Sequence, residues 1–357
     1  LRINNRPRRV SIALIDTMLL APAGQQSLSA LGDMLGVEKI DLPDGAIERM
    51  DLLRDTDPVL FDRYALRDAE ITSLWVAKIL RFFEEDLAIT GLRVPATLGA
   101  AGVRMFKENA GGGGAVDRLL GMEKIKNGKT RTRVPVPAIA DHYSFFADCY
   151  HGARNEAYTA GYSDVGDIID VDLAGAYTTA MAGIRTPDWE ATQATNDISI
   201  LANVSALSVA RVQFKFTEGT RFPSLPVRAG ERGLVYPLSG TSYCTGAELV
   251  VALGQGAEVN VEHGVIVPFA DDARPYANFT KTINDIRSAH TKGSIFERIA
   301  KEIGNSLYGK TAQGVETMKA RSDKVQGRRV FNTETGGMMT LPPSAITQPL
   351  LAAFTTG

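Results

Sequence analysis

The spacing of apolar positions changes several times along the chain, and each change predicts a different element. The apolar run VSIALIDTMLL (10–20) reads as a buried strand, and SLSALGDMLGV (27–37) as a short amphipathic helix with Ser27 at its N-cap. From 57 to 87 apolar residues recur at helical spacing, which predicts one long helix ending near Gly91. The stretch from 91 to about 140 is rich in Gly, Pro and Thr, contains the run Gly111 to Gly114, and reads as a linker. VGDIIDVDLAGAYTTAMAG (165–183) predicts a strand that passes through two acids into a helix. LSVARVQFKFTEG (207–219) alternates as a strand does, and the Pro- and Gly-bounded pieces up to HGVIVPF (263–269) predict a β-rich segment. Helical spacing returns after Phe269 as two antiparallel helices joined near Lys292 and Gly293.

The last of these helices has two faces. At about 100° per residue, Phe296, Ile299, Ile303 and Leu307 fall on one side, and Lys301, Asn305 and Tyr308 on the other. Gly304 and Gly309 flank the polar stripe and leave room for a bulky group to approach the backbone. A solvent-exposed face with Gly309 as a C-terminal cap would give the same pattern.

Composition narrows the class without naming a partner. A chain of 357 residues holds two or three domains, and 44% hydrophobic with 22% charged residues is ordinary for a soluble globular protein. The formal net charge of −2 excludes an overall basic nucleic-acid binder but leaves room for a local basic channel. Cys149 and Cys244 have no zinc spacing and are too few for a disulfide framework, which points to a reducing compartment. His142, His151, His263 and His290 are scattered, without paired spacing, and read as ordinary surface or core residues. No apolar run reaches the roughly 18 residues a membrane helix needs, so no membrane partner is expected. Gly111 to Gly114 lack the lysine and hydroxyl of a phosphate-binding loop, which leaves a glycine-loop nucleotide hydrolase with little support.

KEIGNSLYGK (301–310) resembles the fingers-helix motif of family B DNA polymerases, particularly the protein-primed group of phages, viruses and linear plasmids. DVDLAGAYTTAM (170–181) resembles the first palm motif of that family, with AGAYTT where Ser-Leu-Tyr-Pro is usual. YHGAR (150–154) is similar to its Tyr-x-Gly-Gly motif, with Ala153 replacing the second glycine. The resemblance implies that Lys301 holds the triphosphate of an incoming dNTP, that Asn305 and Ser306 support the site, and that Tyr308 packs at the nascent base pair. Asp172 would be a catalytic, metal-binding carboxylate with the Leu173 carbonyl beside it, Asp170 ranks second, and Tyr177 would lie under the deoxyribose and exclude a 2′-OH. Tyr150, Gly152 and Arg154 would contact DNA, as would Ser306 and Gly309. Arg287, Lys292 and Arg298 either add positive charge for the phosphates or are solvated helix charges.

Upstream, YALRD (64–68) resembles the third exonuclease motif: Tyr64 would orient a water, and Asp68 would bind a metal. SLSAL (27–31) and KIDL (39–42) are similar to exonuclease motifs that place Ser27 and Leu28 on single-stranded DNA and Lys39 in the catalytic centre. The implied fold is multi-domain α/β and α+β. It comprises part of an RNase H-like exonuclease (1–95), a linker (96–142), a first palm segment (143–182) and a β-rich, terminal-protein-binding segment (183–268). Helical fingers (269–311), a strand-displacement hairpin (312–341) and the start of a second palm segment (342–357) follow, the palm being a β-sheet with helices on one face.

The second palm motif, Tyr-x-Asp-Thr-Asp, is not found after the fingers helix. The sequence Asp55-Thr56-Asp57 lies instead in the exonuclease part and reads as a loop. The first two exonuclease acidic motifs are not found either, Asp16 reads as structural, and Leu1 in place of methionine marks a fragment. The expectation is a piece of a DNA-directed DNA polymerase with 3′–5′ exonuclease, inactive alone, whose parent uses Mg²⁺ (or Mn²⁺), primer-template DNA, dNTPs and, in protein-primed members, a terminal protein. The implied setting is the cytoplasm of a phage or virus host, or an organelle. The alternative is a pseudo-polymerase that grips primer-template without chemistry.

Overall fold

The computed structural model describes residues 2–3, 6–7, 14–89, 94–128, 130–158, 161, 169–173, 175–230, 233–320, 329–332 and 336–357. The chain separates into two compact units, one of residues 1–105 and 282–303, the other of residues 106–281 and 304–357. In order, the elements are β1 (Arg2–Ile3), β2 (Arg6–Pro7), α1 (Leu28–Leu35), α2 (Met50–Thr56), α3 (Pro58–Glu85), α4 (Leu98–Asn109), α5 (Gly113–Leu119), β3 (Met122–Asn127), β4 (Thr130–Pro135), α6 (Pro137–Ala140) and α7 (Tyr143–Cys149). Then come α8 (Ala176–Gly183), β5 (Gln193–Thr195), α9 (Ile198–Leu201), β6 (Leu207–Lys215), β7 (Val227–Arg228), β8 (Leu234–Val235), β9 (Ser239–Thr245), α10 (Gly246–Gly254) and β10 (Glu258–Val267). The last are α11 (Ala277–Ala289), α12 (Ile295–Ala312), β11 (Arg329–Asn332), β12 (Gly337–Thr340) and α13 (Pro349–Thr356).

The spine of the first unit is α3. Ile71, Trp75, Ile79 and Phe82 recur at three- and four-residue intervals, and all are buried. Asp57 caps α3 by accepting from the Leu60 amide at 2.9 Å, and Pro58 occupies the first turn. Asp55-Thr56-Asp57 is therefore the junction of α2 and α3. Ser27 caps α1 in the same way, accepting from Ala30 at 3.1 Å. Phe82 stacks on Phe296 of α12 at 4.8 Å. Two expectations fail here. Of the strand expected at 10–20, residues 10–13 lie outside the described residues, and Thr17–Leu20 form a 3₁₀ turn because the Asp16 carboxylate takes the Met18 amide at 2.9 Å. Asp16 is structural, as expected. The expected RNase H-like sheet has, among the described residues of this unit, only the two-residue pair β1–β2.

The second unit is built on a four-stranded antiparallel sheet of order β5-β10-β6-β9. Ala210, Val212, Phe214, Cys244 and Ile266 share a core cluster with Leu249 and Ala252 of α10. Four consecutive β6 residues, Leu207 to Ala210, are buried, so this end of the sheet is covered on both faces rather than one. α13 packs against α7, α8 and β6 with Leu350, Leu351, Ala352 and Ala353 buried. The 183–268 stretch thus supplies the largest sheet of the unit.

Residues 96–142, expected to be a linker, are folded. α4, α5 and the β3–β4 hairpin follow one another, with Phe106, Leu119, Leu120 and Ile139 buried. The first half of the glycine run, Gly111 and Gly112 with φ of 86° and 90°, makes the turn between α4 and α5, and Gly113 and Gly114 open α5. Of the strand expected at 165–172, residues 162–168 lie outside the described residues, and Ile169–Leu173 carry no regular structure. Within 312–341, β11 and β12 pair antiparallel, with residues 333–335 outside the described residues.

Gly246 opens α10 beside the sheet, and a Cβ there would stand 2.5 Å from the Leu201 carbonyl oxygen. Gly246→Ala is expected to cost about 1–3 kcal/mol through overpacking, read as a lower urea midpoint with an unchanged m-value.

Candidate functional site

Three tyrosines far apart in sequence meet in the second unit. Tyr177, in the first turn of α8, stacks on Tyr308 of α12 with ring centroids 4.3 Å apart and planes 7° from parallel. The Tyr308 hydroxyl is 3.3 Å from that of Tyr150, which follows α7. Burial, followed by the Tyr150 phenol, pushes the Tyr308 hydroxyl far above its usual range, and burial also raises Tyr150. The Tyr150 and Tyr308 phenols therefore stay neutral at physiological pH.

Beside the stack lies an open cavity of about 710 Å³ lined by Tyr150, Gly152, Ser306, Tyr308 and Gly309, with Lys310 among the other residues of its wall. Those first five residues were each singled out in the sequence as nucleic-acid or nucleotide contacts. A Cβ on Gly309 would meet nothing within 4 Å, so the helix backbone there is open to a ligand. Lys301 and Asn305 are exposed, one turn apart on α12, while Phe296 is half-buried and Ile299, Ile303 and Leu307 are buried. The two-faced reading of this helix holds, except that Gly304 lies on the buried side.

Other candidates are placed differently. The Arg154 guanidinium donates to Glu156 at 2.5 Å and to the Pro223 carbonyl at 2.8 Å, and it lies 4.1 Å over the Tyr236 ring. It braces the segment after Tyr150 against the Pro223 backbone and the Tyr236 ring while remaining partly exposed. Arg287 pairs with Glu297 at 3.0 Å; burial raises Glu297, but Arg287 and the Gly293 amide more than offset it and hold the carboxyl below its usual range. Arg287 is thereby committed to the turn between α11 and α12. Arg298 donates to the Gly293 carbonyl in the same turn.

In the first unit, Lys39, Tyr64 and Asp68 do come together. Lys39 Nζ is 3.3 Å from Asp68 Oδ2 and 4.9 Å from the centre of the Tyr64 ring. Burial lowers Lys39, but Tyr64 and Asp68 outweigh it and the ammonium is held above its usual value. Asp68 Oδ1 is buried without a hydrogen-bond partner. Ser27 is exposed, with its hydroxyl serving the α1 cap, and Leu28 is half-buried.

With this geometry in view, comparison with known proteins is decisive. Residues 69–335 match the profile of the family described as DNA polymerase type B, organellar and viral. The chain belongs to this family. It is 37% identical over 376 residues to the primer-independent DNA polymerase PolB of Escherichia coli, covering 98% of this chain and 41% of that protein. Phi29 DNA polymerase complexed with primer-template DNA and incoming nucleotide substrates shares the fold at a TM-score of 0.55 and 14% identity, over 96% of this chain and 56% of that one. The orthorhombic crystal form of the Phi29 enzyme gives 0.51 at the same identity. The chain thus spans about half or less of the length of these relatives.

For a type B polymerase chain, the acidic segment is sparse. Asp170 and Asp172 are both exposed, as are Ile169, Val171 and Leu173, and among the described residues no three His, Cys, Asp or Glu side chains converge. Among the described residues, Asp68 likewise has no such group around it. These residues do not by themselves fit a two-ion site.

The partners of two residues around the polymerase motifs, one read as an ordinary histidine and one unremarked, went unseen in the sequence. His151, 6% exposed, has Nδ1 2.9 Å from the Gly152 carbonyl and Nε2 3.0 Å from Glu248 Oε1, and its own carbonyl accepts from Thr356. Lys319, wholly buried, reaches the Tyr150 carbonyl at 3.0 Å and Glu316 at 2.6 Å. Nothing in the patterns YHG or TMKA distinguishes these from surface residues; only burial reveals them.

Burial lowers the His151 imidazolium, but Glu248 outweighs it and the net shift is upward. A raised folded value means that the stabilisation is fully present below the ordinary histidine value of about 6.5 and is lost as pH rises through the folded one. Unfolding free energy is expected to fall over that window, and His151→Gln to flatten the slope in urea titrations at stepped pH.

Proposed function

We propose that this chain is part of a DNA-directed DNA polymerase that extends a primer 3′-OH with dNTPs, and that the tyrosine stack with the adjoining cavity is its nucleotide and template surface. The observation that carries this reading is the meeting of Tyr150, Tyr177 and Tyr308, from three separate motifs, in one stacked cluster. Stacked aromatic faces accept any base, and a phenol beneath a sugar leaves no space for a 2′-OH. In this reading Tyr308 packs at the nascent base pair, Tyr177 lies under the deoxyribose with the Leu173 carbonyl nearby, and Lys301 meets the triphosphate as a point charge. Asn305 and Ser306 support that face, and Tyr150, Gly152 and Gly309 line the path of the template.

Asp172, with Asp170, supplies carboxylates to the reacting end, and the described residues do not complete a metal site there. We therefore propose that the 357-residue chain binds primer-template DNA without extending it. In the first unit, Lys39, Tyr64 and Asp68 form the side-chain cluster of a proofreading 3′–5′ exonuclease, with the unpartnered Asp68 Oδ1 as its acceptor. Two starts of synthesis are compatible with this reading: on a terminal protein, as the sequence motifs imply, or without a primer, as the E. coli relative is named.

Anisotropy of a labelled primer-template is expected to show binding that weakens with salt. Tyr308→Ala and Tyr177→Ala should each cost about 1–3 kcal/mol of that binding. Primer extension in Mg²⁺ by the same chain should give no product. Absence of binding by the wild-type chain would overturn the polymerase reading, and template-dependent extension would overturn the inactivity of the isolated chain.

A further inference from the structure

A fully buried lysine is rare, because its ammonium loses water that only strong partners replace. Lys319 follows the 3₁₀ turn Val315–Met318, and its side chain has no exposed surface. Its ammonium donates to Glu316 Oε1 at 2.6 Å and to the Tyr150 carbonyl at 3.0 Å, and it lies 5.6 Å from the centre of the Tyr150 ring. Arg228 Nη2 is 3.9 Å from the same Glu316 oxygen. Arg228 and Glu316 line the cavity together with Tyr150 and Tyr308. A buried ammonium thus sits in a charged cluster at the cavity wall, and one of its hydrogen bonds reaches the backbone of Tyr150.

We infer that Lys319 is the positioning residue of the tyrosine stack: it fixes the backbone and ring of Tyr150, and through the Tyr150 hydroxyl the facing rings of Tyr308 and Tyr177. The inference rests on the polymerase reading for what the stack recognises, but its geometry stands apart from it. Glu316 holds the ammonium in place, and Lys319 holds Tyr150. The 3.3 Å contact between hydroxyls then carries that placement to Tyr308, which stacks on Tyr177 at 4.3 Å. A shift of the Tyr150 backbone opens the stack without touching either of its rings directly.

A merely structural ion pair behaves differently from a positioning one. Replacing a buried pair by apolar side chains of similar volume is often neutral or stabilising, so Glu316→Met with Lys319→Met removes the charges while keeping the packing. The test is fluorine NMR of the fluorotyrosine-labelled chain, with Tyr177 and Tyr308 assigned by their Phe variants, alongside primer-template anisotropy and thermal melting. In the wild type the Tyr177 resonance is displaced by the ring it stacks on. In the double variant it is expected to move toward the unstacked position and the Kd for primer-template to rise about tenfold. The melting transition reports whether the double variant is folded, since Arg228 also loses Glu316 as its partner, and Lys319→Arg, which keeps a donor for the Tyr150 carbonyl, restores both readouts in part.

A folded double variant with wild-type resonances and affinity would overturn the inference. Should the double variant not fold, Tyr150→Phe, which removes only the hydroxyl, must release the Tyr177 resonance in the same direction, and an unmoved resonance would overturn the inference equally. Wild-type chain that shows the stacked resonance yet binds no primer-template would overturn the polymerase reading and leave the positioning role standing.

Discussion

Tyr177 and Tyr308 face each other at 4.3 Å, and everything around the candidate site is arranged to hold those two rings there. Such a pair contributes only about 0.5–1.5 kcal/mol beyond the area it buries, while ordering a single backbone residue costs about 1–2 kcal/mol. The stack cannot organise its surroundings. The surroundings must organise it, and the second unit does so from several directions. The first turn of α8 presents Tyr177, and α12 presents Tyr308. Tyr150 is held from the backbone by Lys319, and its neighbour His151 is held by Glu248 and by Thr356 at the end of α13.

Those restraints draw on buried charge. The chain has a net charge of only −2, and part of the charge around the site is buried: Lys319 against Glu316 and His151 against Glu248, while Arg154 pairs with the exposed Glu156. Glu248 shows how one carboxylate serves two purposes. Its Oε2 accepts the Thr245 amide and hydroxyl in the capping box of α10, while its Oε1 faces His151. The helix that covers the sheet and the segment that carries Tyr150 are thereby tied to the same group. In the first unit, the pairing of Lys39 with Asp68 Oδ2 leaves the buried Oδ1 without a hydrogen-bond partner.

What was readable in the sequence follows from what periodicity encodes. The α3 helix, the cap at Ser27 and the two faces of α12 were legible because burial, capping and polar stripes repeat at fixed spacings, whereas the Asp57 cap lay within a segment read as a loop. The family motifs were legible because order and spacing survive where residues such as Ala153 do not. Contacts between distant segments were not. Arg287 and Arg154 looked like free cations, since nothing local announces Glu297 or the Pro223 carbonyl as their partners. Lys319 went unremarked for the same reason. The 96–142 stretch read as a linker because its glycines were weighed by composition, whereas they serve a helix-to-helix turn whose flanks bury Phe106 and Leu119.

The central claim, that the tyrosine stack and its cavity are where nucleic acid meets this chain, is tested most directly by photo-crosslinking. Primer-template carrying iodouracil at the terminal base pair would be bound to the chain, irradiated, and the adducts mapped by mass spectrometry. The account predicts adducts on Tyr308 or Tyr150, lost in the corresponding Phe-free alanine variants. Adducts confined to the β3–β4 hairpin or to the first unit, with none on these tyrosines, would contradict it.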